Sequence, residues 1–303
     1  MPRLRPPPVR APAIRPERRG AADLLAALPG RRPILAPLLR SHSLTLLYGP
    51  RGLGKTFVAM AIAHAAATGG RFLGWQAERP HRVVYVDGEM AAADVGQRLA
   101  MLGPAPKTLE FVLADLRSSG LPDIAEEAGQ SAIWNACTPP PDLLVLDNLS
   151  SLAGHRTNDG DPWPKLQPFL LRLRRRTAVL VVQHTNKRGA LRGSAQQEDV
   201  LDLVLALRRP AGYAAHQGAR FELHVEKARA VAGHALEPVE AKLCFDPAGR
   251  ATWAWWPLEE QDVHRVAALL RDGLNPNQIA RELGISKSKA YRLRELAVSS
   301  SRV

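Results

Sequence analysis

Cysteine is scarce in this chain, and long apolar runs are missing. Of its 303 residues only two are cysteine, Cys137 and Cys244. Two thiols build neither a disulfide framework nor a four-ligand zinc site, and their apolar or small neighbours predict buried, reduced side chains. A membrane span needs ~18 or more apolar residues, but the best stretch, Phe57 to Gly69, is shorter and contains His64. The N-terminus lacks the apolar core of a secretory signal, so we expect a cytoplasmic protein that contacts no membrane.

Negative charge is in deficit. The chain carries 41 Lys and Arg against 29 Asp and Glu, a net charge of +12. Nine of these twelve charges lie in residues 1–20 and 261–303, and the middle of the chain is nearly balanced. Basic ends on a balanced body favour contact with a polyanion, most simply nucleic acid. Residues 1–20 are rich in Pro and Arg and are expected to be disordered; a solubilising tail without a partner is an equally good interpretation.

Short apolar segments alternate with helical patterns between Ala21 and Trp256, which is typical of a mostly parallel α/β sheet. Near-continuous apolar runs predict strands covered on both faces, at Leu44–Tyr48, Val83–Val86, Leu143–Leu146 and Val179–Val182. Helices are predicted at Phe57–Ala67, Ala92–Leu102, Asp123–Trp134 and Trp163–Arg174. Later runs predict antiparallel additions to the sheet, at Leu203–Leu207, Phe221–Val225, Lys242–Phe245 and Thr252–Trp256.

A glycine-rich segment follows the first apolar strand. Gly49-Pro-Arg-Gly-Leu-Gly-Lys-Thr56 matches G-x-x-x-x-G-K-[ST] between a strand and an apolar helix, the context that makes this motif credible. Its glycines let backbone N–H groups surround phosphates, and the helix N-terminus adds partial positive charge. Lys55 is expected to contact the β- and γ-phosphates and the Thr56 hydroxyl to bind magnesium. The predicted nucleotide-binding residues are Gly49, Pro50, Arg51, Gly52, Leu53, Gly54, Lys55, Thr56 and Phe57.

Two other predicted strands end in acidic residues. Asp147 directly follows Leu143–Leu146. At this edge of the sheet a carboxylate can hold magnesium through water. The alternative is that Asp147 caps the next turn. Asp87 and Glu89 follow Val83–Val86. Hydrolysis needs a group that orients or deprotonates the attacking water, and either acid can take this role. The alternative is that both acids lie in a solvated surface turn.

With these three elements, residues 21–256 resemble RecA-like ATPases of the family that includes the RepA and DnaB hexameric helicases. The resemblance implies that Glu89, followed by Met90, is the catalytic glutamate, and that Asp147 binds magnesium. It also implies that Gln183 and His184 sense the γ-phosphate, although side chains that satisfy strand-end backbone groups would fit as well. No primase or helical domain precedes Ala21 in this sequence, so the compact RepA-type architecture is the expected one.

Contacts with DNA and with a second subunit follow from the same resemblance. The segment after His184 resembles a DNA-contacting loop, here with Lys187, Arg188 and Arg192; a solvated basic face is an equal alternative. Lys227 and Arg229 resemble the Lys-x-Arg segment that reaches a neighbouring subunit's nucleotide. The implied assembly is a homo-oligomer, hexameric in that family, with single-stranded DNA passing through the ring.

The C-terminal residues form a separate pattern. Apolar spacing in Asp262–Ala297 predicts three helices, with Asn275-Pro276 starting the second and Ser286 capping the third. A helix, a short Gly-containing turn and another helix resemble the helix-turn-helix of small bacterial regulators and resolvases. Its third helix is expected to bind duplex DNA through Lys287, Lys289, Arg292 and Arg294. A three-helix cap for protein contact is the alternative.

The sequence as a whole predicts an α/β fold with a RecA-like mostly parallel sheet, helices on both faces and a small all-α helix-turn-helix. The expected domains are a tail at 1–20, a P-loop ATPase at 21–258 and the DNA-binding domain at 259–303. The expected function is magnesium-dependent ATP hydrolysis coupled to DNA binding or translocation, as in a RepA-type helicase. The alternative is a DNA-binding regulator that nucleotide switches, without unwinding. A GTPase is disfavoured because Gly189 stands where Asn-Lys-x-Asp requires Asp.

Overall fold

The computed structural model of the protein describes residues 20–23, 30–153, 162–185 and 196–299. The chain divides into two compact units, Met1–Arg31 and Arg32–Val303. Residues 21–23 of the first unit are helical; the predicted tail lies almost wholly outside the described residues. None of the described helices is both long and apolar enough to cross a membrane.

In the part of the second unit that the structure describes there are thirteen strands and nine α-helices. The strands are β1 (Pro33–Leu35), β2 (Leu39–Arg40), β3 (Leu44–Gly49), β4 (Arg71–Phe72), β5 (Trp75–Gln76), β6 (Val83–Asp87), β7 (Leu109–Leu113), β8 (Leu143–Asp147), β9 (Ala178–His184), β10 (Leu203–Arg208), β11 (Arg220–Ala228), β12 (Val239–Phe245) and β13 (Ala251–Pro257). The helices are α1 (Lys55–Thr68), α2 (Ala92–Leu102), α3 (Glu127–Ala136), α4 (Leu149–Leu152), α5 (Trp163–Arg174), α6 (Gln196–Val200), α7 (Leu258–Arg271), α8 (Pro276–Glu282) and α9 (Lys287–Ser299).

A nine-stranded sheet forms the centre, in the order β13-β12-β11-β10-β3-β9-β8-β6-β7. The six strands from β10 to β7 are parallel to one another, and β11, β12 and β13 extend the sheet in antiparallel fashion. Two small antiparallel pairs, β1 with β2 and β4 with β5, stand apart from it. The prediction of a mostly parallel sheet is confirmed.

One expectation about a single strand was wrong, and one strand of the sheet was not predicted. Leu203–Leu207 was expected to be antiparallel, but β10 runs parallel to β3 and is buried along five of its six residues, as strands covered on both faces are. The edge strand β7 was not foreseen. It is only partly buried and contains Glu110, which pairs with Arg82, so its sequence lacks a continuous apolar run.

The parallel strands have an apolar core on each face. In β8, Leu143 and Val145 belong to the cluster that contains α1, whereas Leu144 and Leu146 belong to the cluster that contains α5. Because side chains alternate between faces, burial on both sides explains the unbroken apolar runs. Helices α2 and α5 have the predicted bounds. The predicted helix Asp123–Trp134 begins later, as α3, because the Asp123 carboxylate instead accepts a hydrogen bond from the Ala125 backbone in a turn.

The last three helices pack around a small core of their own. Its buried residues come from all three helices: Val263, Val266, Ala267, Ile279, Leu293 and Ala297. The Asn275 side chain caps α8 and the Ser286 hydroxyl accepts from the Lys289 backbone at the start of α9, as predicted. In α9 Ala297 is buried, whereas the neighbouring Leu296 is 38% exposed. Helix α7 also packs on β12 and β13.

Candidate nucleotide-binding site

The glycine-rich segment joins the end of β3 to the start of α1, as its sequence predicts. Gly52 and Gly54 have φ angles of 74° and 93°, a region that side-chain-bearing residues rarely adopt. Gly54 is also crowded, because a Cβ there would lie 2.8 Å from the Cβ of Ala219. A Cβ on Gly49 would lie 2.7 Å from the Leu207 carbonyl oxygen. The loop therefore depends on glycine for its conformation and for its close approach to the ends of β10 and β11.

Lys55 is almost fully buried at the start of α1. Its ammonium donates a hydrogen bond to the Pro50 carbonyl oxygen at 2.7 Å, which folds the side chain back over the loop. Burial lowers the pKa of Lys55 to about 8, and the negative charges of Asp147 and Glu89 oppose this shift. A desolvated cation at a helix N-terminus is suited to binding phosphate.

Asp147 ends β8 and is 1% exposed. The Tyr85 hydroxyl donates to Asp147 Oδ2 at 2.6 Å, and the Thr56 hydroxyl also hydrogen-bonds to this carboxylate. Burial raises the pKa of Asp147 to about 6, while these two hydrogen bonds and the charge of Lys55 oppose the shift. The structure thus brings Thr56, Lys55 and Asp147 together, as the sequence predicts for one site.

The sequence alone does not decide whether Asp87 or Glu89 acts on the attacking water, and the structure gives the two acids different surroundings. Asp87 Oδ1 accepts the backbone N–H groups of Glu89 and Met90 at 2.9 and 2.6 Å, and burial raises the pKa of Asp87. Its carboxylate therefore holds the turn after β6. The Glu89 side chain is 61% exposed and open to water, so Glu89 is the better placed of the two to act on a water molecule.

Glu89 has neighbours from two other strand ends. The Asn148 amide donates a hydrogen bond to Glu89 Oε2, and His184 Nε2 lies 3.9 Å from the same oxygen. His184 ends β9, directly opposite Gly49 in the pairing of β3 with β9, and the buried Gln183 lies beside Tyr48. Of the two predicted γ-phosphate sensors, His184 is thus at the phosphate loop next to the candidate catalytic glutamate, whereas Gln183 precedes it on β9 and faces the other side of the sheet.

Lys227 and Arg229 lie elsewhere. Lys227 pairs with Val204, and the Arg229 backbone N–H donates to the Asp202 carbonyl at 2.9 Å. Because β10 is parallel to β3, these positions are at the amino ends of the parallel strands, opposite the phosphate loop. The Arg229 guanidinium contacts the Asp199 carbonyl. Within one chain, neither residue joins the site.

The predicted DNA contacts divide into two sets. Lys187, Arg188 and Arg192 lie outside the described residues. On α9, Lys289 Nζ donates to Asp262 Oδ2 at 2.6 Å, and Arg292 pairs with Glu259; both acids belong to α7. Lys287 and Arg294 are exposed on the same helix.

Sequence reasoning missed Tyr85 and Asn148 as site residues. Asn148 directly follows Asp147, so its nearness to the acids was foreseeable. Tyr85 stands two residues before Asp87 on β6 and therefore shares its sheet face, but an apolar run containing Tyr does not reveal a hydroxyl bonded to the neighbouring strand. No feature of the sequence indicates the contact of Ala219 with Gly54.

More than half of the chain is similar to known proteins. Residues 10–190 match the model of the AAA_25 family, described as an AAA domain. The chain belongs to this family. It is 27% identical over 178 residues to the DNA repair protein RadA of Brucella abortus, and 26% identical over 175 residues to RadA of Mycobacterium tuberculosis. These stretches cover 56% and 54% of this chain but only 34% and 31% of the two RadA proteins, so the chain spans about a third of the length of the curated relatives it matches.

A solved structure shows the same architecture. The fold is similar to that of a KaiC-like protein from Pyrococcus horikoshii, with a TM-score of 0.51 and 16% identity, over 74% of this chain and 94% of the other. The match supports the predicted RecA-like fold, and the AAA domain and RadA relatives support a P-loop ATPase in general.

The residues fit a magnesium ion bound together with nucleotide. No group of three or more His, Cys, Asp or Glu that could hold a metal by itself occurs among the described residues. Magnesium in phosphate-transfer sites is held by one or two carboxylates together with waters and substrate phosphates. The Thr56 hydroxyl and the buried Asp147 carboxylate, which already contact each other, supply this limited set of oxygen ligands.

Proposed function

We propose that the protein hydrolyses ATP with magnesium and couples hydrolysis to DNA binding or translocation, as a RepA-type helicase-like ATPase. The observation that carries this proposal is the meeting of four strand and helix ends at one edge of the sheet. They bring together the phosphate-binding Lys55, the metal-ligand pair Thr56 and Asp147, and the solvent-exposed Glu89.

Each residue has a distinct role in the proposed mechanism. Lys55 and the backbone N–H groups of the loop bind the phosphates, while Thr56 and Asp147 hold magnesium. The chemistry that magnesium would supply when held there is neutralisation of the charge that develops on the phosphate oxygens. Glu89 orients the attacking water and accepts its proton. Asn148 holds the Glu89 carboxylate in place through its amide hydrogen bond, and His184 lies near enough to respond to the γ-phosphate.

DNA is the proposed polymer partner. The RadA relatives are named as DNA repair proteins, and residues 261–303 of this chain hold eight Lys and Arg against four Asp and Glu. The exposed Lys287 and Arg294 of α9 fit contact with phosphates of a duplex. We propose single-stranded DNA as the partner of the ATPase edge, in a homo-oligomer, and duplex DNA as the partner of the C-terminal helices acting as a helix-turn-helix.

The experiment is an ATPase assay without DNA, with single strands and with duplex, followed by strand displacement on a forked substrate. Stimulation by single strands together with displacement would support the helicase-like function. Absence of magnesium-dependent hydrolysis under all three conditions would contradict the ATPase proposal. The Lys55→Ala variant is the control for contaminating activity.

A second candidate function is a nucleotide-switched DNA-binding regulator. The attachment of the C-terminal helices favours it: Arg265 on α7 pairs with Glu240 on β12, and that carboxylate also pairs with Arg220. The helices are therefore fixed to the sheet that carries the phosphate loop. Stimulation of ATP hydrolysis by one specific duplex, without strand displacement, would favour the regulator over the helicase.

A further inference from the structure

The connection between β10 and β11, residues 209–219, contacts the phosphate loop at both of its own ends. At one end the Arg209 guanidinium donates to the Arg51 carbonyl oxygen at 3.4 Å. At the other end Ala219 lies against Gly54, so closely that no Cβ fits there. The phosphate loop and the β10–β11 connection are therefore in direct contact at two places.

The sheet order indicates the direction in which a nucleotide bound at the phosphate loop would extend. The reactive groups Glu89 and Asp147 are at the ends of β6 and β8, and β9 lies between β8 and the phosphate-loop strand β3. The γ-phosphate end of a bound nucleotide must lie on this side to meet Glu89. Strand β10 adjoins β3 on the other side. The nucleoside end, which leaves the loop in the opposite direction, is therefore directed towards the β10–β11 connection.

A flat aromatic and cationic pair occupies that connection. The Arg209 guanidinium lies 5.8 Å from the centre of the Tyr213 ring. Tyr213 is half-buried against the core cluster on the α1 face, its hydroxyl donates to the Gly218 carbonyl at 3.2 Å, and its backbone N–H donates to the Pro210 carbonyl at 3.1 Å. These contacts hold the ring in place before any ligand arrives, which reduces the entropy lost on binding.

We propose that Arg209 and Tyr213 form the subsite for the nucleobase of the bound nucleotide. Aromatic rings and arginine planes bind bases by stacking, whichever edge the base presents. This inference rests on the proposed function, because it assigns the nucleoside end of the same nucleotide. It also gives the β10–β11 connection two tasks, supporting the phosphate loop through Ala219 and holding the base through Tyr213.

The test separates the base from the phosphates. Isothermal titration calorimetry measures the affinity of the full chain for ATP and for inorganic tripolyphosphate, each with magnesium. The Tyr213→Ala variant is expected to bind ATP about 5- to 150-fold more weakly, the range measured for loss of one base–aromatic stack, and to bind tripolyphosphate like the parent. Unchanged tripolyphosphate binding shows at the same time that the variant is folded around the phosphate loop.

Three further variants sharpen the test. Tyr213→Phe keeps the ring and is expected to bind ATP like the parent. Arg209→Lys keeps the charge but loses the flat guanidinium, so it should weaken ATP binding and leave tripolyphosphate binding unchanged. Phe245→Ala removes an exposed aromatic ring at the end of β12, away from the β10–β11 connection, and should change neither affinity.

Two results would overturn the subsite. Equal weakening of ATP and tripolyphosphate in Tyr213→Ala would mean that the residue acts only through the shape of the phosphate loop. Equal affinity of the parent for both ligands would mean that the nucleoside makes no useful contact. Failure of the parent to bind either ligand is a different outcome, which would contradict the proposed ATPase function itself.

Discussion

Lys55 and Asp147 place opposite charges in the buried floor of the site, and burial acts against both of them. It lowers the pKa of Lys55 to about 8 and raises that of Asp147 to about 6. Each shift favours the neutral form, although phosphate binding needs a charged lysine and metal binding needs a charged aspartate. Lys55 is positively charged and Asp147 negatively charged at the same time, as phosphate and metal binding require, only between these two pKa values.

The pH dependence of kcat/KM for ATP should follow from this pair. Below about pH 6 the Asp147 carboxylate is protonated, and above about pH 8 the Lys55 ammonium loses its proton. The value of kcat/KM, which reports ionisations of the free enzyme, should rise through the first pKa and fall through the second. A steady-state pH profile with excess magnesium measures it. A profile that stays flat from pH 5 to pH 9 would contradict the assigned roles.

Glu89→Gln should retain ATP binding and lose turnover, because an amide cannot accept the proton of the attacking water. The expected loss in kcat is about 10²- to 10⁴-fold. Calorimetry measures the binding and a phosphate-release assay the rate. Glu110→Gln, at an exposed ion pair of the edge strand β7, is the matched control and should hydrolyse ATP like the parent. Turnover at the parental rate in Glu89→Gln would make Asp87 the better candidate.

At the scale of elements, the sequence predicted the strands and loops whose environment dictates a recognisable pattern of residue types. The buried strands β3, β6, β8 and β9 have continuous apolar runs, and the phosphate loop has glycines that its φ angles require. Strand β7 and the short β1, β2, β4 and β5 were missed because they are brief or partly exposed. The direction of β10 was missed because a run such as Leu203–Leu207 records burial and not orientation.

The antiparallel extension depends on a charged residue inside it. Glu240 on β12 is fully buried and pairs with Arg220 on β11 and Arg265 on α7. Removing one partner of a buried ion pair leaves the other charges uncompensated and costs about 3–5 kcal/mol. Glu240→Gln should therefore lower the free energy of unfolding by an amount of this order, measured by urea denaturation.

Glu110→Gln supplies the matched control for this stability prediction as well. Glu110 pairs with Arg82 at a site where both side chains are partly exposed, and exposed pairs contribute about 0–1 kcal/mol. Equal destabilisation in the two variants would show that the buried pairs of Glu240 contribute no more than a surface pair.

The basic residues of α9 should divide into two functional classes. Lys289 pairs with the largely buried Asp262 of α7, so Lys289→Gln should lower the Tm. Arg292 pairs with Glu259 where both side chains are about half exposed, so Arg292→Gln should change the Tm little. Lys287 and Arg294 are exposed, and their replacement by Gln should leave the Tm unchanged and weaken duplex binding. If each neutralises one phosphate, the slope of log affinity against log salt should flatten by about 0.9 per residue. Fluorescence anisotropy at several salt concentrations measures it, and identical curves for parent and Lys287/Arg294 variant would favour a protein-docking role for these helices.

At the scale of the whole molecule, the phosphate loop and Arg229 are separated by the length of a strand. Strand β3 has six residues, which at about 3.3 Å per residue span roughly 17 Å. Arg229 lies at the level where β3 begins and the phosphate loop lies where it ends. The side chain therefore does not reach the nucleotide of its own chain, and any part it takes in hydrolysis must be at the nucleotide of a neighbouring subunit.

Mixing two inactive variants tests this role in trans. Lys55→Ala should abolish nucleotide binding, because the phosphates lose their buried cation, and Arg229→Ala should lower kcat by about 10³-fold if it removes an arginine finger. Mixed assemblies contain some interfaces with an intact Lys55 on one side and an intact Arg229 on the other, so the mixture should recover part of the parental ATPase rate. Size-exclusion chromatography with differently labelled variants establishes that subunits mix. Mixing without any recovery of activity would exclude a shared site and assign Arg229 only to its contact with the Asp199 carbonyl.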